Sequence, residues 1–475
     1  MCGIVGYVGD KNAGDILVKG LKRLEYRGYD SAGVALMNGD MQVHKGKGKV
    51  VNLENMLKKN GAPGHIGIGH TRWATHGEPN DVNSHPHLSE SGKIAVVHNG
   101  IIENYTSLKK KLMERGRTFK SDTDTEIVAQ LLEEIYTTSD VTFEQAIRLA
   151  LKQIVGTYGL AMANMDEPDK LYVARKGSPL LIGIGDGEMF IASDASPIVE
   201  YTNKVIFLDD GEMAIVTKDD YEVKTIDDVN LTKEIHELAM GIEQIEKAGY
   251  PHFMLKEIFE QPRSIADCMR GRINPEDGTV QLGGLTDVMD DLVNAKRIVI
   301  AACGTSWHSG LVGEYLFEYL AKTPVEVEYA SEFRYRDPLI GEGDVLLVIS
   351  QSGETADTLA ALREAKEKGA KVLGICNVVG STISRETDAG VFTHAGPEIG
   401  VASTKAFTAQ VVVLTMMAIR LGQDKGIIDD ARAKELIREL NTIPEKVETI
   451  LEDSNNTIEE MAKLFTYAPN FLYLG

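Results

Sequence analysis

The spacing of short apolar runs changes once along the chain, and this change is the strongest constraint on its fold. Up to about residue 220, β-like runs such as Ile4–Val8 and Ile94–His98 alternate with turns. Two amphipathic helical patterns interrupt them, at 105–115 and from Asp124 onward. Runs of strands with grouped helices favour an α+β layered domain. After about residue 285, single strands alternate with helices, which is typical of a parallel sheet built from βαβ units.

The length of 475 residues is too great for a single core, because domains usually hold about 100–200 residues. We expect a first domain over 1–240, a helical connector over 241–284 and a parallel-sheet domain over 285–450. Helical patterns are predicted at 234–272, 404–421 and 431–451. The last segment, 451–475, ends in an apolar run that is interpreted as the start of a buried strand.

The net charge, the cysteine spacing and the lack of long apolar runs argue against several classes of function. The formal net charge of −21 disfavours nucleic acid and anionic membranes as partners. The four cysteines are widely spaced without a C-x-x-C pair, which argues against a zinc site or a disulfide framework and fits a reducing cytoplasm. No secretory signal and no run of about 20 apolar residues is found. Neither a metal nor an organic cofactor is implied, and His85-Pro86-His87 is a weak metal motif because no third ligand lies nearby.

Cys2 is the first candidate catalytic residue. Removal of Met1 would leave a thiol and a free α-amine on one residue, and the amine could serve as base for the thiol. Their ordinary pKa values, about 8.5 and about 7.7–8.0, let a proton pass between them near neutral pH. The alternative is that a small second residue has no catalytic role.

Three further segments of the first domain carry groups suited to amide hydrolysis. Arg72 could bind a substrate carboxylate, or be a surface arginine. Asn99 and Gly100 follow an apolar strand and could form an oxyanion hole, or a plain turn. Asp124 could bind an ammonium group, cap a helix, or do both.

Six ordered motifs resemble the glutaminase domain of the N-terminal-nucleophile glutamine amidotransferases, and most closely that of the glucosamine-6-phosphate synthase family. The motifs are CGIVG, EYRGYDSAG, HTRWATHGEPN, HPH, VVHNGIIEN and SDTDTE. The resemblance implies that Cys2 is the nucleophile and that Asn99 and Gly100 form the oxyanion hole. The residues implied to bind glutamine are Arg72, Trp73, Thr75, His76 and Asp124, and Trp73 would also close over glutamine and guard the exit of ammonia.

Two hydroxyl-rich loops in the second half each follow a strand and begin a helix, at 303–306 and 350–355. A helix N-terminus offers free N–H groups and a partial positive charge, which favour a phosphate group. Ordinary helix capping is the alternative. Neither loop is a P-loop, which disfavours a nucleoside triphosphate. Two such loops on neighbouring strands point to a ligand at the carboxyl ends of the sheet.

CGTS, ISQSGET and GVASTKAFTAQ resemble the sugar-isomerase (SIS) phosphosugar-binding module, and HFMLKEIFEQP resembles the connector of the glucosamine-6-phosphate synthase family. The resemblance implies a sugar-phosphate site in the second domain. The residues implied are Cys303, Thr305, Ser306, Ser350, Gln351, Ser352, Thr355, Val401 and Ser403.

Together the two resemblances imply a cytoplasmic enzyme that hydrolyses L-glutamine and passes ammonia to fructose 6-phosphate, assembled as a homodimer through its SIS domains. The family has a second SIS lobe, and only its first strand resembles the end of this sequence. We therefore expect a truncated chain, with glutaminase chemistry but without full synthase activity. The alternatives are an amidotransferase with another phosphosugar acceptor and a non-catalytic phosphosugar sensor.

Overall fold

The computed structural model describes residues 2–25, 30–61, 63–73, 77–238 and 247–472. The chain divides into two compact units, 1–246 and 247–475, and each is described by itself. Most of the predicted connector, from residue 247 onward, belongs to the second unit, and residues 241–246 lie outside the described residues.

The first unit contains two antiparallel sheets. The larger sheet has the strand order β15-β11-β9-β10-β1-β4-β2-β3 and the smaller has β14-β13-β12-β8-β7-β6-β5, numbered in chain order with the bounds given next. The strands are β1 (Gly3–Val8), β2 (Ser31–Met37), β3 (Met41–Lys47), β4 (Ile66–Arg72), β5 (His87–Leu88), β6 (Ile94–Ile102), β7 (Gly156–Asn164), β8 (Leu171–Lys176), β9 (Leu181–Ile184), β10 (Met189–Ala192), β11 (Lys204–Phe207), β12 (Glu212–Val216), β13 (Tyr221–Thr225), β14 (Asn230–Leu231) and β15 (His236–Glu237). The helices are α1 (Ala13–Leu24), α2 (Val50–Asn60), α3 (Tyr105–Glu114), α4 (Thr125–Thr138) and α5 (Phe143–Leu151).

Strands with consecutive apolar side chains let each sheet bury both faces. In β6, Ala95 and Val97 join the core between the two sheets. Their neighbours Ile94 and Val96 point to the opposite face and pack under α3, α4 and α5. Because successive side chains of a strand point to opposite faces, the result is a four-layer arrangement of helices, sheet, sheet and helices. The predicted α+β layered class is confirmed.

The second unit is built on a five-stranded parallel sheet with the order β19-β18-β20-β21-β22. Its strands, with a preceding two-stranded hairpin, are β16 (Ile273–Asn274), β17 (Thr279–Val280), β18 (Ile298–Ala302), β19 (Val325–Tyr329), β20 (Val345–Ser350), β21 (Lys371–Cys376) and β22 (Ala389–Phe392). A 3₁₀ helix covers Gly283–Val288. The α-helices are α6 (Phe253–Phe259), α7 (Gln261–Met269), α8 (Met289–Asn294), α9 (Thr305–Ala321), α10 (Ala330–Tyr335), α11 (Ala356–Glu367), α12 (Thr382–Glu386), α13 (Lys405–Asp424), α14 (Asp430–Asn441) and α15 (Ile443–Leu464).

Helices cover both faces of this sheet, as the alternating pattern predicts. In β18, Ile298 and Ile300 contribute to one apolar core, whereas Val299 and Ala301 contribute to the core on the opposite face. The first strand of the sheet, β18, is followed in the chain by β19, which pairs with β18 at one edge of the sheet. The next strand, β20, pairs with the opposite side of β18. This order creates a topological switch point between β18 and β20, where open parallel sheets hold their ligands.

Three predicted elements differ from the structure. The single helix predicted over 431–451 is two helices, α14 and α15, because Pro444 lacks an N–H and begins a new helix after Thr442. The polar segment 234–272 holds the short strand β15 and the helices α6 and α7 rather than one helical run. The buried strand predicted at the end is not seen among the described residues, since Phe471 and Leu472 are exposed and outside any strand.

Helix α13 is, among the described residues, the one helix long and apolar enough to cross a membrane. The sequence predicted a helix at 404–421 but did not identify it as long and apolar enough to cross a membrane. The helix packs against α7 and α9, and residues such as Val413, Leu414 and Ile419 are fully buried in the second unit. A core helix of a globular protein meets the same length and composition criteria.

Candidate active site

Cys2 lies directly before the central strand β1 of the larger sheet. Strand β1 pairs antiparallel with β4, and Gly3 lies opposite Thr71, so the register carries the thiol to the end of β4. The Trp73 N–H donates to the Cys2 Sγ at 3.3 Å, and the thiol lies 3.6 Å from the Trp73 carbonyl oxygen. The Asn99 side-chain amide donates to the Cys2 carbonyl oxygen at 3.2 Å. Segments 71 and 97 residues away in sequence therefore meet at the predicted nucleophile.

Burial sets the protonation state of this thiol. It raises the pKa of Cys2 above its ordinary value, while the Trp73 N–H and the charge of Arg72 act in the opposite direction. The thiol is therefore protonated at neutral pH, and its use as a nucleophile requires a base that removes the proton.

Asn99 and Gly100 lie inside β6 rather than in a turn at its end, so the alternative of a plain turn is wrong. They pair with Gly159 and Tyr158 of β7, and the strand continues to Ile102. Gly100 has φ +131°, and a Cβ at this position would overlap the backbone carbonyl of Thr157. Only glycine fits this conformation without steric overlap.

Arg72 and Asp124 are both buried, with 4% and 6% of their surface exposed, so Arg72 is not a surface arginine. Arg72 ends β4, and its Nη2 donates to the Gly77 carbonyl oxygen at 3.2 Å. Asp124 occupies the N-cap position of α4, but its side chain makes no capping hydrogen bond there. Its Oδ2 instead accepts the Ile102 N–H at 2.8 Å, which ties the carboxylate to the strand that carries Asn99.

The remaining glutamine-site predictions divide in two. Trp73 is 44% exposed beside the thiol, as a residue over a pocket would be. Thr75 and His76 lie outside the described residues.

In the HPH motif, the rings of His85 and His87 meet edge to face with centroids 4.8 Å apart. Within the described part of the chain, no group of three or more His, Cys, Asp or Glu side chains is placed to hold a metal ion.

In the second unit, the two hydroxyl-rich loops lie side by side, as the sequence predicted. Strands β18 and β20 are parallel neighbours, with Ala302 opposite Ile349, so the loops that follow them leave the same edge at the switch point. Helix α9 begins at Thr305 with Gly304 as its N-cap, and α11 begins at Ala356 with Thr355 as its N-cap. Two helix N-termini thus start beside one crevice, an arrangement suited to an anion.

The loop 350–355 is held in one shape by its own hydroxyl groups. The Ser350 hydroxyl accepts the Gly353 N–H at 3.0 Å and lies 2.9 Å from the Thr355 hydroxyl. The Ser352 hydroxyl accepts the Glu354 N–H at 3.2 Å. Gln351 lies in the same loop, and its carbonyl oxygen accepts the Asn377 N–H at 3.2 Å. The loop is therefore shaped before any ligand binds.

Two predicted sugar-site side chains already have hydrogen-bond partners within the second unit. The Ser306 hydroxyl is buried between α9 and α13, where it accepts from the Gln410 side chain at 3.0 Å, so only its backbone N–H remains for a ligand. The reason is helical geometry, since Thr305 and Ser306 are consecutive and project about 100° apart. The Cys303 thiol accepts a 3.9 Å hydrogen bond from Thr358 in the first turn of α11.

Val401 and Ser403 lie on the segment between β22 and α13. Val401 is 79% exposed, and the Ser403 hydroxyl donates to Glu398 at 2.8 Å. Sequence reasoning did not single out Glu257 of α6, whose buried carboxylate accepts the N–H groups of Ile399 and Gly400. The signal was present, because Glu257 stands in the quoted connector motif HFMLKEIFEQP.

Comparison with known proteins decides the family. Residues 70–200 match the glutamine amidotransferase domain family, and residues 291–420 match the SIS domain family. The glutamine–fructose-6-phosphate aminotransferase (isomerizing) of Chlorobaculum tepidum is 59% identical over 479 residues, which cover 100% of this chain and 78% of the relative. This chain belongs to the glutamine–fructose-6-phosphate aminotransferase (isomerizing) family.

The aminotransferase of the same name from Bacteroides thetaiotaomicron is 56% identical, again over 100% of this chain and 78% of the relative. Among solved structures, the C-terminal domain of glucosamine-fructose-6-phosphate aminotransferase from Francisella tularensis is 39% identical, covers 47% of this chain and 61% of that chain, and has a TM-score of 0.44. The family predicted from the motifs is confirmed. The chain is an enzyme with a glutamine amidotransferase domain and a SIS domain, and glucosamine-6-phosphate synthase is another name for this family.

Proposed function

We propose that this chain hydrolyses the side-chain amide of L-glutamine at Cys2 and binds fructose 6-phosphate, the acceptor from which the family's full reaction forms glucosamine 6-phosphate. The chain itself is proposed to carry the glutaminase step without full synthase activity. The observation that carries the proposal is the convergence of the Cys2 thiol, the Trp73 N–H and the Asn99 amide at the end of β4. Residues 1–240 supply the glutaminase, and residues 285–450 supply the sugar-phosphate site.

The chemistry follows from the protonated state of the thiol. After removal of Met1, the α-amine of Cys2 takes the thiol proton, and the sulfur attacks the amide carbon. The second hydrogen of the Asn99 amide and the Gly100 N–H stabilise the oxyanion, and ammonia leaves with the proton held by the amine. Water then cleaves the thioester, which releases glutamate and restores the thiol.

Charge complementarity supports the assignment of the glutamine-binding groups. Arg72 would bind the α-carboxylate of glutamine, and Asp124 would bind its ammonium group, since both charged side chains are buried. Arg72 directly precedes Trp73, and Asp124 is bonded to the strand that carries Asn99. Thr75 and His76 would line the same pocket, and Trp73 would close over it. Ammonia in neutral water is largely protonated and no longer nucleophilic, so its transfer to the sugar requires a route shielded from solvent.

The crevice between β18 and β20 supports fructose 6-phosphate as the acceptor. The N-termini of α9 and α11 and the hydroxyls of Thr305, Ser350, Ser352 and Thr355 would bind the phosphate group, and Gln351 would join them. Cys303, Val401 and Ser403 would lie against the sugar carbons.

The protein would act in the cytoplasm as a homodimer formed through its second unit. The exposure of large side chains in that unit supports this assembly, since Tyr315, Tyr335 and Leu339 are 76%, 77% and 89% exposed. Sedimentation equilibrium of the chain, compared with the variant Tyr315→Glu, tests the assembly. A monomeric mass for the unaltered chain would contradict it.

Cys2→Ala tests the reaction directly. The variant should release no glutamate from glutamine, because no other group in the scheme forms the thioester. Cys268→Ala is the matched control, since this thiol is buried in the core of the second unit, where it donates to the Ala409 carbonyl oxygen. Mass spectrometry of active protein should show that Met1 is absent. Undiminished glutamate release by Cys2→Ala would overturn the proposal.

A further inference from the structure

A buried histidine that no step of the reaction uses lies against the proposed oxyanion hole. His70, on β4, is 1% exposed. Its Nε2 lies 3.1 Å from the His98 carbonyl oxygen and 3.1 Å from the Asn99 Oδ1. The chemistry of Cys2, Asn99 and Gly100 assigns no role to this ring.

The His98 carbonyl decides which nitrogen of His70 carries the proton. A backbone carbonyl oxygen only accepts hydrogen bonds, so a nitrogen placed 3.1 Å from it must be an N–H donor. His70 is therefore protonated at Nε2, and this N–H is shared between the His98 carbonyl and the Asn99 side chain. Burial lowers the pKa of His70 to about 3, so the ring is neutral and its Nδ1 bears no proton at working pH.

The same N–H fixes the orientation of the Asn99 amide. An N–H donor selects the oxygen of the amide as its neighbour, so Oδ1 faces His70 and Nδ2 faces Cys2. The reversed amide would place its NH₂ group against the Nε2 hydrogen and its oxygen against the Cys2 carbonyl oxygen. Both contacts would be repulsive.

The ring of His70 is itself held in place. It stacks on His85 with centroids 4.1 Å apart and an interplanar angle of 14°. The Nδ1 of His85 accepts the backbone N–H of His98, so His85 is fixed by the same strand that carries Asn99. The Nδ1 of His70 has no hydrogen-bond partner among the described residues, so nothing there competes for the orientation set at Nε2.

We propose that His70 is a positioning residue, which holds the Asn99 amide with its NH₂ group toward the reacting carbonyl of glutamine. This inference rests on the proposed function, because it assigns a role to His70 only through the oxyanion hole. Without the His70 donor, the amide can rotate by 180° and present its oxygen to a developing negative charge. One oxyanion donor is typically worth about 10²–10³ in rate. Partial loss of its orientation should cost about 10–100-fold in kcat.

The test compares His70→Phe, which keeps a ring but has no donor, with His70→Gln, whose side-chain amide can donate. His70→Phe should lower kcat for glutamate release about 10–100-fold with KM for glutamine within about twofold. His70→Gln should recover most of the rate. Alkylation of Cys2 by iodoacetamide, followed by mass spectrometry of the Cys2 peptide, needs no oxyanion hole and should keep its rate in both variants.

The double variant separates positioning through Asn99 from a structural effect. In an Asn99→Ala background, His70→Phe should cause no further loss, because residues that act through one group are not additive. An equal loss in both backgrounds, or a fall in Cys2 alkylation that parallels kcat, would overturn the inference. If His70→Phe does not accumulate as folded protein, His70→Met, which also lacks a donor, takes its place.

The outcomes also distinguish this inference from the proposed function. Loss of rate in Asn99→Ala together with full activity in His70→Phe refutes only the positioning role. Full activity in Asn99→Ala refutes the oxyanion-hole assignment, and the inference with it.

Discussion

Gly353 lies in the loop that follows β20. Replacing it by alanine should distort the proposed sugar-phosphate site, because an added methyl group has no room there. The φ of Gly353 is +65°, and a Cβ would overlap both the Cβ and the Oγ of Ser381. Ser381 is 2% exposed and its N–H donates to the Val378 carbonyl oxygen, so it has little room to move. Gly353→Ala must therefore displace the loop or the start of α12.

The magnitude follows from two separate costs. An alanine with positive φ is strained by about 1 kcal/mol, and forcing a methyl group into a packed site costs about 1–3 kcal/mol. We expect Gly353→Ala to lower the free energy of unfolding of the second unit by about 2–4 kcal/mol. Gly369→Ala is the matched control, because its φ is +82° and a Cβ there would contact nothing within 4 Å. Gly369→Ala should lower the free energy of unfolding only by the backbone strain of about 1 kcal/mol.

Urea unfolding followed by tryptophan fluorescence measures the difference. The chain has 2 tryptophans, and in a Trp73→Phe background the signal comes from Trp307, which stacks on Tyr329 at a centroid distance of 4.2 Å. Replacing Ser381 by Gly in the Gly353→Ala protein removes both overlapping atoms. Most of the lost stability should return, since the Ser381 side chain makes no capping hydrogen bond to α12.

Ligand binding provides the functional readout. The Gly353 N–H donates to the Ser350 hydroxyl, so a displaced loop also moves the groups expected to hold the phosphate. Fructose 6-phosphate affinity, measured by calorimetry, should fall about tenfold or more, while glutamate release remains. Equal destabilisation by Gly353→Ala and Gly369→Ala, or no recovery on removal of the Ser381 side chain, would refute the steric reasoning.

Two further predictions concern the first unit. Burial lowers the pKa of His70 to about 3 and the pKa values of His85 and His87 well below the ordinary value. The unfolded state then binds more protons below about pH 6.5. The free energy of unfolding therefore decreases as the pH is lowered, by up to about 1.4 kcal/mol per pH unit for each histidine. Urea unfolding of a Trp307→Phe variant between pH 7 and 5.5 checks this, and a flat profile would contradict it. Gly100→Ala, which would overlap the Thr157 carbonyl, should lower glutamate release at least about 100-fold, and activity near that of the unaltered protein would argue against the oxyanion role of Gly100.

Local pattern was sufficient for most of the elements. Short apolar runs bounded by turns predicted strands such as Ile94–His98, and the period of a helix predicted the region of α3 and the start of α4, because both signals depend only on neighbours along the chain. The same reasoning located the two hydroxyl-rich loops at the starts of α9 and α11. It failed at α14 and α15, where one proline outweighed a continuous apolar pattern.

The sequence by itself determined the family, the two architectures and the candidate nucleophile, since motifs and periodicity are properties of consecutive residues. Only the tertiary structure decided which groups meet. The antiparallel register of β1 and β4 brings Trp73 to Cys2, and β6 brings Asn99 to the same thiol segment across 97 residues. Helix packing turned the Ser306 hydroxyl into the core. The orientation of the Asn99 amide depends on a histidine of a neighbouring strand, because a hydrogen bond between strands is set by their pairing and cannot be read from either strand alone.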